Sequence, residues 1–558
     1  MTKHHFLPTL LAFITVLAGC GGTQQADLIV HNAVIYTVDS AFSTAEALAV
    51  RDGRFVAVGS NEDILSQYKA KETVDAQGQP VYPGFYDAHA HFSGYAQTLG
   101  QADLTDAASF EEIITRLKAF RSEFPDAPWL LGRGWDQNLW ANKAFPDRNR
   151  LDEEFPDIPV YLVRIDGHAA IANGKALQLA GLTGPRSIEG GLIEEKNGRL
   201  TGILVDNAMS LVASAIPETT LSEIIQMLQK AEAACLAVGL TTVSDAGLGR
   251  QQINLLDSLY KSEKLRIRNH AMIRLSQDNI DHYIKAGPYV SDRFTARSFK
   301  VMADGALGSR GACLLQPYSD GPRSGFLLLP PAAIDSALGR LAQSDFQVCT
   351  HAIGDSANRV VLDYYGKHLK GKNDRRWRIE HVQVVAPSDF EKFGKYSVIP
   401  SVQPTHATSD MTWAINRLGP ERIKGAYAFK QLLEGAGLLA LGSDFPVEHI
   451  NPLYGFHAAV ARVDKHGNPL GGFQPENAID RESALRGMTI WAAYSFFEET
   501  ERGSIEVGKK ADFVRLEKDI MTIPAEQLRE VPVLQTVIEG ETLYTKDPTN
   551  SADTKAVR

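Results

Sequence analysis

Cysteine is scarce in this 558-residue chain, with four in all, at positions 20, 235, 313 and 349. So few, so scattered, exclude a disulfide framework, and the last three read as core thiols. No apolar run is long enough to cross a bilayer, which takes about 20 residues. Charge of one sign forms no long block: 57 Lys and Arg stand against 67 Asp and Glu, a net −10. The basic face that nucleic acid demands is therefore missing, and no nucleic-acid partner is expected. Low-complexity tracts and short repeats are absent. So are a Gly-X-Ser-X-Gly elbow, which excludes the common serine-hydrolase design, and a glycine loop of phosphate-cradling pattern. What is left, 44% hydrophobic and 22% charged residues, is the composition of a globular protein.

The first residues differ from the rest. Lys3, His4 and His5 precede an apolar run over residues 6–18, which ends in Leu17-Ala18-Gly19-Cys20. A basic start and about 7–15 apolar residues make the pattern of an export signal. Its ending resembles a bacterial lipoprotein signal, in which the cysteine is lipidated and becomes the mature N-terminus. An ordinary signal that happens to contain a cysteine is the alternative. Gly21, not Asp, follows, which in Gram-negative lipoproteins points to the outer membrane. Residues 1–20 are thus expected to be a lipoprotein signal and Cys20 the lipidation site. The chain would be exported and anchored to the cell envelope, with the lipid as its membrane contact.

Residues 26–80 read as short strands broken by turns such as Arg51-Asp52-Gly53, and the same texture returns over 500–548. The two ends are expected to build one small β-sandwich. Between them, over 81–499, short apolar strands alternate with helical stretches such as 253–264 and 333–344, the signature of repeated βα units. Eight strands are predicted, at 81–91, 241–246, 267–275, 299–303, 346–351, 377–381, 397–402 and 438–443. Eight such units make an α/β fold, a closed (β/α)8 or TIM barrel. The gap after the first strand is too long for one crossover helix. Residues from about 101 to 217 are therefore expected to hold a helix, 110–120, and an inserted lobe with strands at 129–132 and 160–165. The apolar stripes of 110–120 and 224–236 fit helices facing the core.

The strongest local signal is Pro83-Gly-Phe-Tyr-Asp-Ala-His89-Ala-His91, at the end of the first strand. Residues two apart on a strand share a face, so both imidazoles can address one point at the barrel mouth, where such barrels keep their chemistry. Alone, a His-X-His pair is as readily two surface histidines. Further ionisable residues end or interrupt later apolar runs: Lys300, His351, His381 and Asp444. Burying such a group without a partner costs several kcal/mol, and one shared metal accounts for all of them.

In that order, on strands one, four, five, six and eight, these residues resemble the amidohydrolase superfamily. Longer stretches are similar to its family 3 branch, that of YtcJ-like proteins and N-substituted formamide deformylases. They include Gly134-Trp135-Asp136, Arg164-Ile-Asp-Gly-His168, 239–247, 304–310, 442–448 and 503–512. The likeness runs from about residue 26 to 544. It implies a metal-dependent hydrolase of carbon–nitrogen bonds other than peptide bonds, acting on a small amide, N-acyl or N-formyl substrate. His89, His91, His351 and His381 would be ligands of one or two divalent ions, with zinc suited to so many imidazoles. Asp444 would be a ligand and the proton carrier for a metal-activated hydroxide. Lys300 would carry a CO2-derived carbamate bridging two metals, or else pair as a plain lysine with Asp304 or a substrate carboxylate.

The same resemblance puts His168 at the pocket as an oxyanion or substrate contact, and Trp135, Asp136 and Arg164 around the substrate. Packing within the lobe is the alternative for these. His406, after the seventh strand, reads as loop surface, with a pocket position the alternative, and Asp304 with Arg310 as a structural pair. Two other functions fit the same residues: hydrolysis of esters, lactones or cyclic amides, and a surface lipoprotein that binds a ligand without turning it over. A homo-oligomer is left open.

Overall fold

The computed structural model describes residues 23–547 apart from 166–168, 189–190, 207 and 309. Eight parallel strands pair in chain order: β1 (Phe85–Asp87), β2 (Leu240–Leu248), β3 (Arg268–Arg274), β4 (Phe294–Met302), β5 (Gln347–Ala352), β6 (Arg378–His381), β7 (Ile399–Val402) and β8 (Ala440–Leu441). The ring meets itself between β8 and β1, where Ala88 N–H donates to the Leu441 carbonyl at 3.0 Å and Asp444 N–H to that of His89 at 2.7 Å. Gly442 permits this approach. A Cβ there would lie 2.4 Å from the His89 nitrogen, so any side chain would push the strand ends apart.

Such strands are covered on both faces, which is why they read as unbroken apolar runs; every residue of β5 is buried. The surrounding helices follow the sequence pattern. Leu221–Ala237 begins at a capping box of Thr220 and Glu223 and buries Leu228, Ala231 and Cys235. Arg250–Lys261 turns Ile253, Leu256, Leu259 and Tyr260 inward at helical spacing.

The predicted first strand, 81–91, is in fact two. Pro80–Pro83 pairs with Val34–Tyr36 and Phe513–Leu516 in a sheet made from both ends of the chain, while Phe85–Asp87 joins the barrel. The step falls at Gly84, where a Cβ would sit 2.4 Å from Thr241 Oγ1. Alternation could not show this division, because both pieces are fully buried. The two-ended sheet has six strands and faces a four-stranded one formed by Gln24–His31, Ala47–Arg51, Arg54–Gly59 and Tyr68–Asp75. Leu28, Val30, Phe55, Val81, Phe513 and Val537 fill the space between, a β-sandwich.

Between β1 and β2 lies the inserted lobe. It has a six-stranded sheet of its own and a core around Leu104, Leu117, Trp135 and Leu162. No helix among the described residues is long and apolar enough to cross a membrane. Cys20 and the stretch 1–20 lie outside the described residues.

Candidate metal centre

The C-terminal ends of the strands bring the six singled-out residues together. His89 and His91 lie just past β1, Lys300 within β4, His351 within β5, His381 at the last position of β6, and Asp444 three residues beyond β8. Lys300 Nζ is 3.0 Å from His89 Nε2. Asp444 Oδ1 is 3.5 Å from His89 Nε2 and 3.2 Å from His91 Nε2. The His381 ring stands edge-on between those of His89 and His351, at 4.8 and 4.5 Å between centroids. All are buried except His91, whose side chain is 38% exposed and marks the open side. The pair was expected at the end of the strand, but β1 stops at Asp87, so His89 and His91 are aimed from the turn beyond it.

Strain is stored here. His381 has φ 74° and Asp444 φ 64°, left-handed values that cost a side-chain-bearing residue of order 1–3 kcal/mol each. Both are held by neighbours. His381 Nδ1–H donates to Gln403 Oε1 at 2.7 Å, and Asp444 hangs on the His89 carbonyl.

The imidazoles are oriented from behind. His89 Nδ1–H donates to Glu380 at 2.6 Å, and His91 Nδ1–H to the Ala246 carbonyl at 3.2 Å. With an acceptor at Nδ1, each ring keeps its Nε2 lone pair for the centre, the usual arrangement of a metal-binding histidine. Glu380 is itself clamped by Arg378, at 2.8 and 2.9 Å, and Arg378 also donates to the Ala88 carbonyl at 2.6 Å. Burial would raise the Glu380 carboxyl, yet Arg378 and His89 hold it well below its ordinary range.

The electrostatics favour Lewis bases. Burial, with Lys300 adding to it, pushes His89 down to about 4 and His351 down to about 3, so both are neutral at pH 7. Burial likewise lowers the Lys300 amine. Asp444 stays ionised: burial works against it, but His91 and His89 outweigh that. His351 Nε2, His406 Nε2 and Asp444 Oδ1 are buried and find no hydrogen-bond partner among the described residues. Lone pairs converging without a donor are costly unless an electrophile joins them. The donors of His89, His91 and Asp444 lie within 4.8 Å of one another, and neutral imidazoles with a carboxylate are the donor set of a divalent cation. The residues fit the ion.

Comparison with known proteins agrees. The amidohydrolase family model (Amidohydro_3) matches residues 72–544. The chain belongs to the amidohydrolase family. It is 34% identical over 541 residues to Protein LONG AFTER FAR-RED 3 of Arabidopsis thaliana, covering 93% of this chain and 92% of that protein. It is 32% identical to the putative amidohydrolase YtcJ of Bacillus subtilis (92% and 99% covered) and 28% to the N-substituted formamide deformylase of Arthrobacter pascens (94% and 99%). Among solved structures, an uncharacterized metal-dependent hydrolase from Pyrococcus horikoshii superposes with a TM-score of 0.74 at 29% identity, covering 89% of this chain and 99% of that one. This amidohydrolase is accordingly a metal-dependent hydrolase, and the non-catalytic reading is not favoured.

Other expected contacts of the amidohydrolase fall differently. Trp135 is fully buried, gives its indole N–H to the Leu162 carbonyl at 2.9 Å and packs on Trp140 in the lobe core. It has no exposed face for a substrate, contrary to expectation. Asp136 and Arg164 bind each other at 2.6 Å, part-buried in the lobe. His168 lies outside the described residues. Asp304 does not pair with Arg310: it accepts N–H groups from Cys313, Ile353 and Gly354, while Arg310 binds Asp320 at 2.8 Å.

His406 is no loop residue. It lies in the first turn of the helix Pro404–Arg422, buried, with its ring stacked on His381 at 6.1 Å. The expectation missed Glu380, Gln403 and Asp87 as well. Asp87 accepts from Ser443 Oγ at 2.6 Å and from the His89 amide at 3.2 Å, tying the two strand ends that carry the amidohydrolase's donors. Burial pushes its carboxyl up to about 7. The available signal was position: each of the three carboxylate or amide groups sits within two residues of a ligand or strand end.

Proposed function

We propose that this amidohydrolase cleaves the carbon–nitrogen bond of small linear amides, N-acyl or N-formyl compounds, giving a carboxylic acid and an amine. The observation that carries the reading is the Asp444 carboxylate, ionised and facing two inward-turned imidazoles at 3.5 and 3.2 Å. The similarity to an N-substituted formamide deformylase along 94% of the chain supports the choice of bond.

His89, His91, His351, His381 and Asp444 would hold the cation, and zinc suits that set. A divalent ion there supplies Lewis acidity, which brings the pKa of water from 15.7 to about 7 and polarises a carbonyl. The protein's own groups manage the protons. Asp444 accepts one from the attacking water and returns it to the nitrogen as the carbon–nitrogen bond breaks, since an unprotonated amine leaves poorly. Glu380, through His89, and Gln403, through His381, keep the imidazoles in the tautomer this needs. Burial lowers the Lys300 pKa, in the direction of the neutral amine that adds CO2; a carbamate there would put an oxygen donor beside His89.

The lipoprotein reading of residues 1–20 completes the proposal. The first described strand starts at Gln24, four residues after Cys20, and Cys20 would fix the enzyme to the envelope. In cells, Cys20→Ser should move the protein from the membrane fraction to the soluble one, and an unchanged distribution overturns the anchor. For the activity, purified enzyme is assayed against N-formyl, N-acyl, ester, lactone and cyclic-amide panels before and after chelation. Metal-dependent turnover of the linear amides is expected. Turnover confined to esters, lactones or cyclic amides, or turnover that survives chelation, contradicts the assignment.

A further inference from the structure

A cation that none of the roles above uses stands at the mouth of the barrel. Arg274 is the last residue of β3, and it is exposed. Ile273 before it belongs to the large core between strands and helices, whereas Met272 meets Ala246 and Cys349 in a small cluster inside the ring. Side chains alternate along a strand, so Arg274 shares the inward face of Met272, one step nearer the opening. Its register partner on β4 is Lys300, whose amine touches His89. Neighbouring strands lie about 4.8 Å apart, which sets the arginine directly beside the centre.

The side chain is anchored. β2 bulges at Gly247, where its pairing with β3 shifts and φ is 84°. Two successive carbonyls of this bulge are put to use. Ala246 accepts His91 Nδ1–H at 3.2 Å, and Gly247 accepts Arg274 Nε–H at 3.0 Å. The Arg274 carbonyl in turn accepts from Asn279 Nδ2 at 2.9 Å, and the next amide, that of Leu275, donates to the Lys300 carbonyl at 3.1 Å. The arginine is thus held in register with both His91 and Lys300. Its two terminal nitrogens make no hydrogen bond or ion pair among the described residues, which leaves four N–H groups of a positioned fork for a ligand.

We propose that Arg274 binds a carboxylate of the substrate, and that the compounds cleaved are N-acyl or N-formyl α-amino acids. The inference rests on the carbon–nitrogen reading above and names its substrate class. A planar guanidinium matches a carboxylate with two parallel hydrogen bonds. Lys300, only 5% exposed, is the less accessible cation. In an α-amino acid the carboxylate is carried by the carbon that bears the amide nitrogen, so one small molecule reaches both the fork and the centre. Met302, on the Lys300 face of β4 and 40% exposed, offers an apolar wall for the side group. Hydrolysis then releases the free amino acid and formate or another carboxylic acid.

The test compares matched substrates on full-length, zinc-loaded enzyme. Each N-formyl or N-acetyl amino acid is paired with the amide that lacks only its carboxylate, as N-formylphenylalanine with N-formyl-2-phenylethylamine. The parent should favour the acid in kcat/KM by about 10–100-fold, the range of charge-assisted hydrogen bonds. Arg274→Gln should remove most of that preference, chiefly through KM, and Arg274→Lys should restore part of it. The ratio is taken within one preparation, so any loss of active enzyme cancels. A parent that prefers the neutral amides or treats both alike overturns the inference and leaves the amide reading intact. An equal loss for both members of a pair in Arg274→Gln, the signature of a merely structural arginine, also overturns it. A parent that cleaves neither member of any pair removes the amide reading as well.

Discussion

Buried ionisable clusters occupy both ends of the barrel strands, and they are built on opposite rules. At the N-terminal end, Arg268 of β3 grips Asp512 at 2.5 and 3.2 Å and Glu539 at 2.7 Å. Lys510 and Arg293 also reach Glu539, and Arg502 binds Glu498. Cation meets anion at every step, and the cluster ties the barrel to the terminal sandwich. At the C-terminal end, imidazoles face imidazoles and the Asp444 carboxylate, with Glu380 behind His89, and His351 Nε2, His406 Nε2 and Asp444 Oδ1 find no hydrogen-bond partner among the described residues. The first cluster pairs its charges within the protein, and Arg268 Nε and Arg502 Nε, both donors, are the atoms of these side chains without a hydrogen-bond partner among the described residues. The second asks for a cation from outside, so unmet acceptors mark the working end better than burial or charge does.

Breaking each end should therefore have different consequences. The largest effect is expected from Asp444→Asn, which removes the proton carrier: kcat should fall by at least about 10³-fold, within the 10²–10⁴ that a positioned acid–base contributes. Retained turnover in that purified variant would refute the role. At the other end, Asp512→Asn takes one of the two carboxylates from the buried Arg268, leaving Glu539, and should lower stability by about 1–3 kcal/mol in urea melts, with metal affinity unchanged. A loss of metal affinity there would mean that the two ends are coupled. Glu380→Gln crosses between the cases. It replaces the carboxylate behind His89 with a neutral, weaker amide acceptor, and metal affinity should drop by about 10–100-fold.

Acid separates the ends by pH. In chelator-treated protein, His89 and His351 titrate near 4 and 3, below their ordinary 6.5. Between pH 6.5 and about 4 the unfolded chain takes protons that the folded chain refuses, so stability falls as pH drops through that window. Glu498 and Glu539 are held at about 2, because the opposing charges of His270, Arg502 and Arg268 outweigh burial. Their contribution is complete above about 4.5 and is lost as pH falls toward 2. Replacing His89 and His351 by Asn should flatten the first decline and leave the second. An unaltered profile would mean that these imidazoles are not held neutral. The smallest effect is expected at the exposed Lys71–Asp27 pair, where Lys71→Ala should leave activity and melting unchanged.

Much of this was legible in the sequence, for reasons that also explain the gaps. Parallel strands buried on both faces announce themselves as apolar runs, and polar residues that interrupt them, such as Lys300 and His351, stand out. Alternation fails where the backbone leaves the strand. With φ at 74°, His381 turns out of the extended chain right after Glu380, so the two residues serve one centre although a strand would point them apart. His406 hides for another reason: after the seventh strand it reads as loop surface, whereas Pro404 opens a helix. Trp135 misleads in the opposite sense, since a motif can be shared for the packing of a lobe. Second partners such as Gln403 leave no periodic trace, because only the folded chain brings them to a ring nitrogen.

The most direct measurement is anomalous diffraction at a metal absorption edge from crystals of the purified, zinc-loaded enzyme. A peak within coordination reach of His89, His91 and Asp444 is expected. A map without a peak at that mouth, or with metal bound only elsewhere on the molecule, would contradict the central claim.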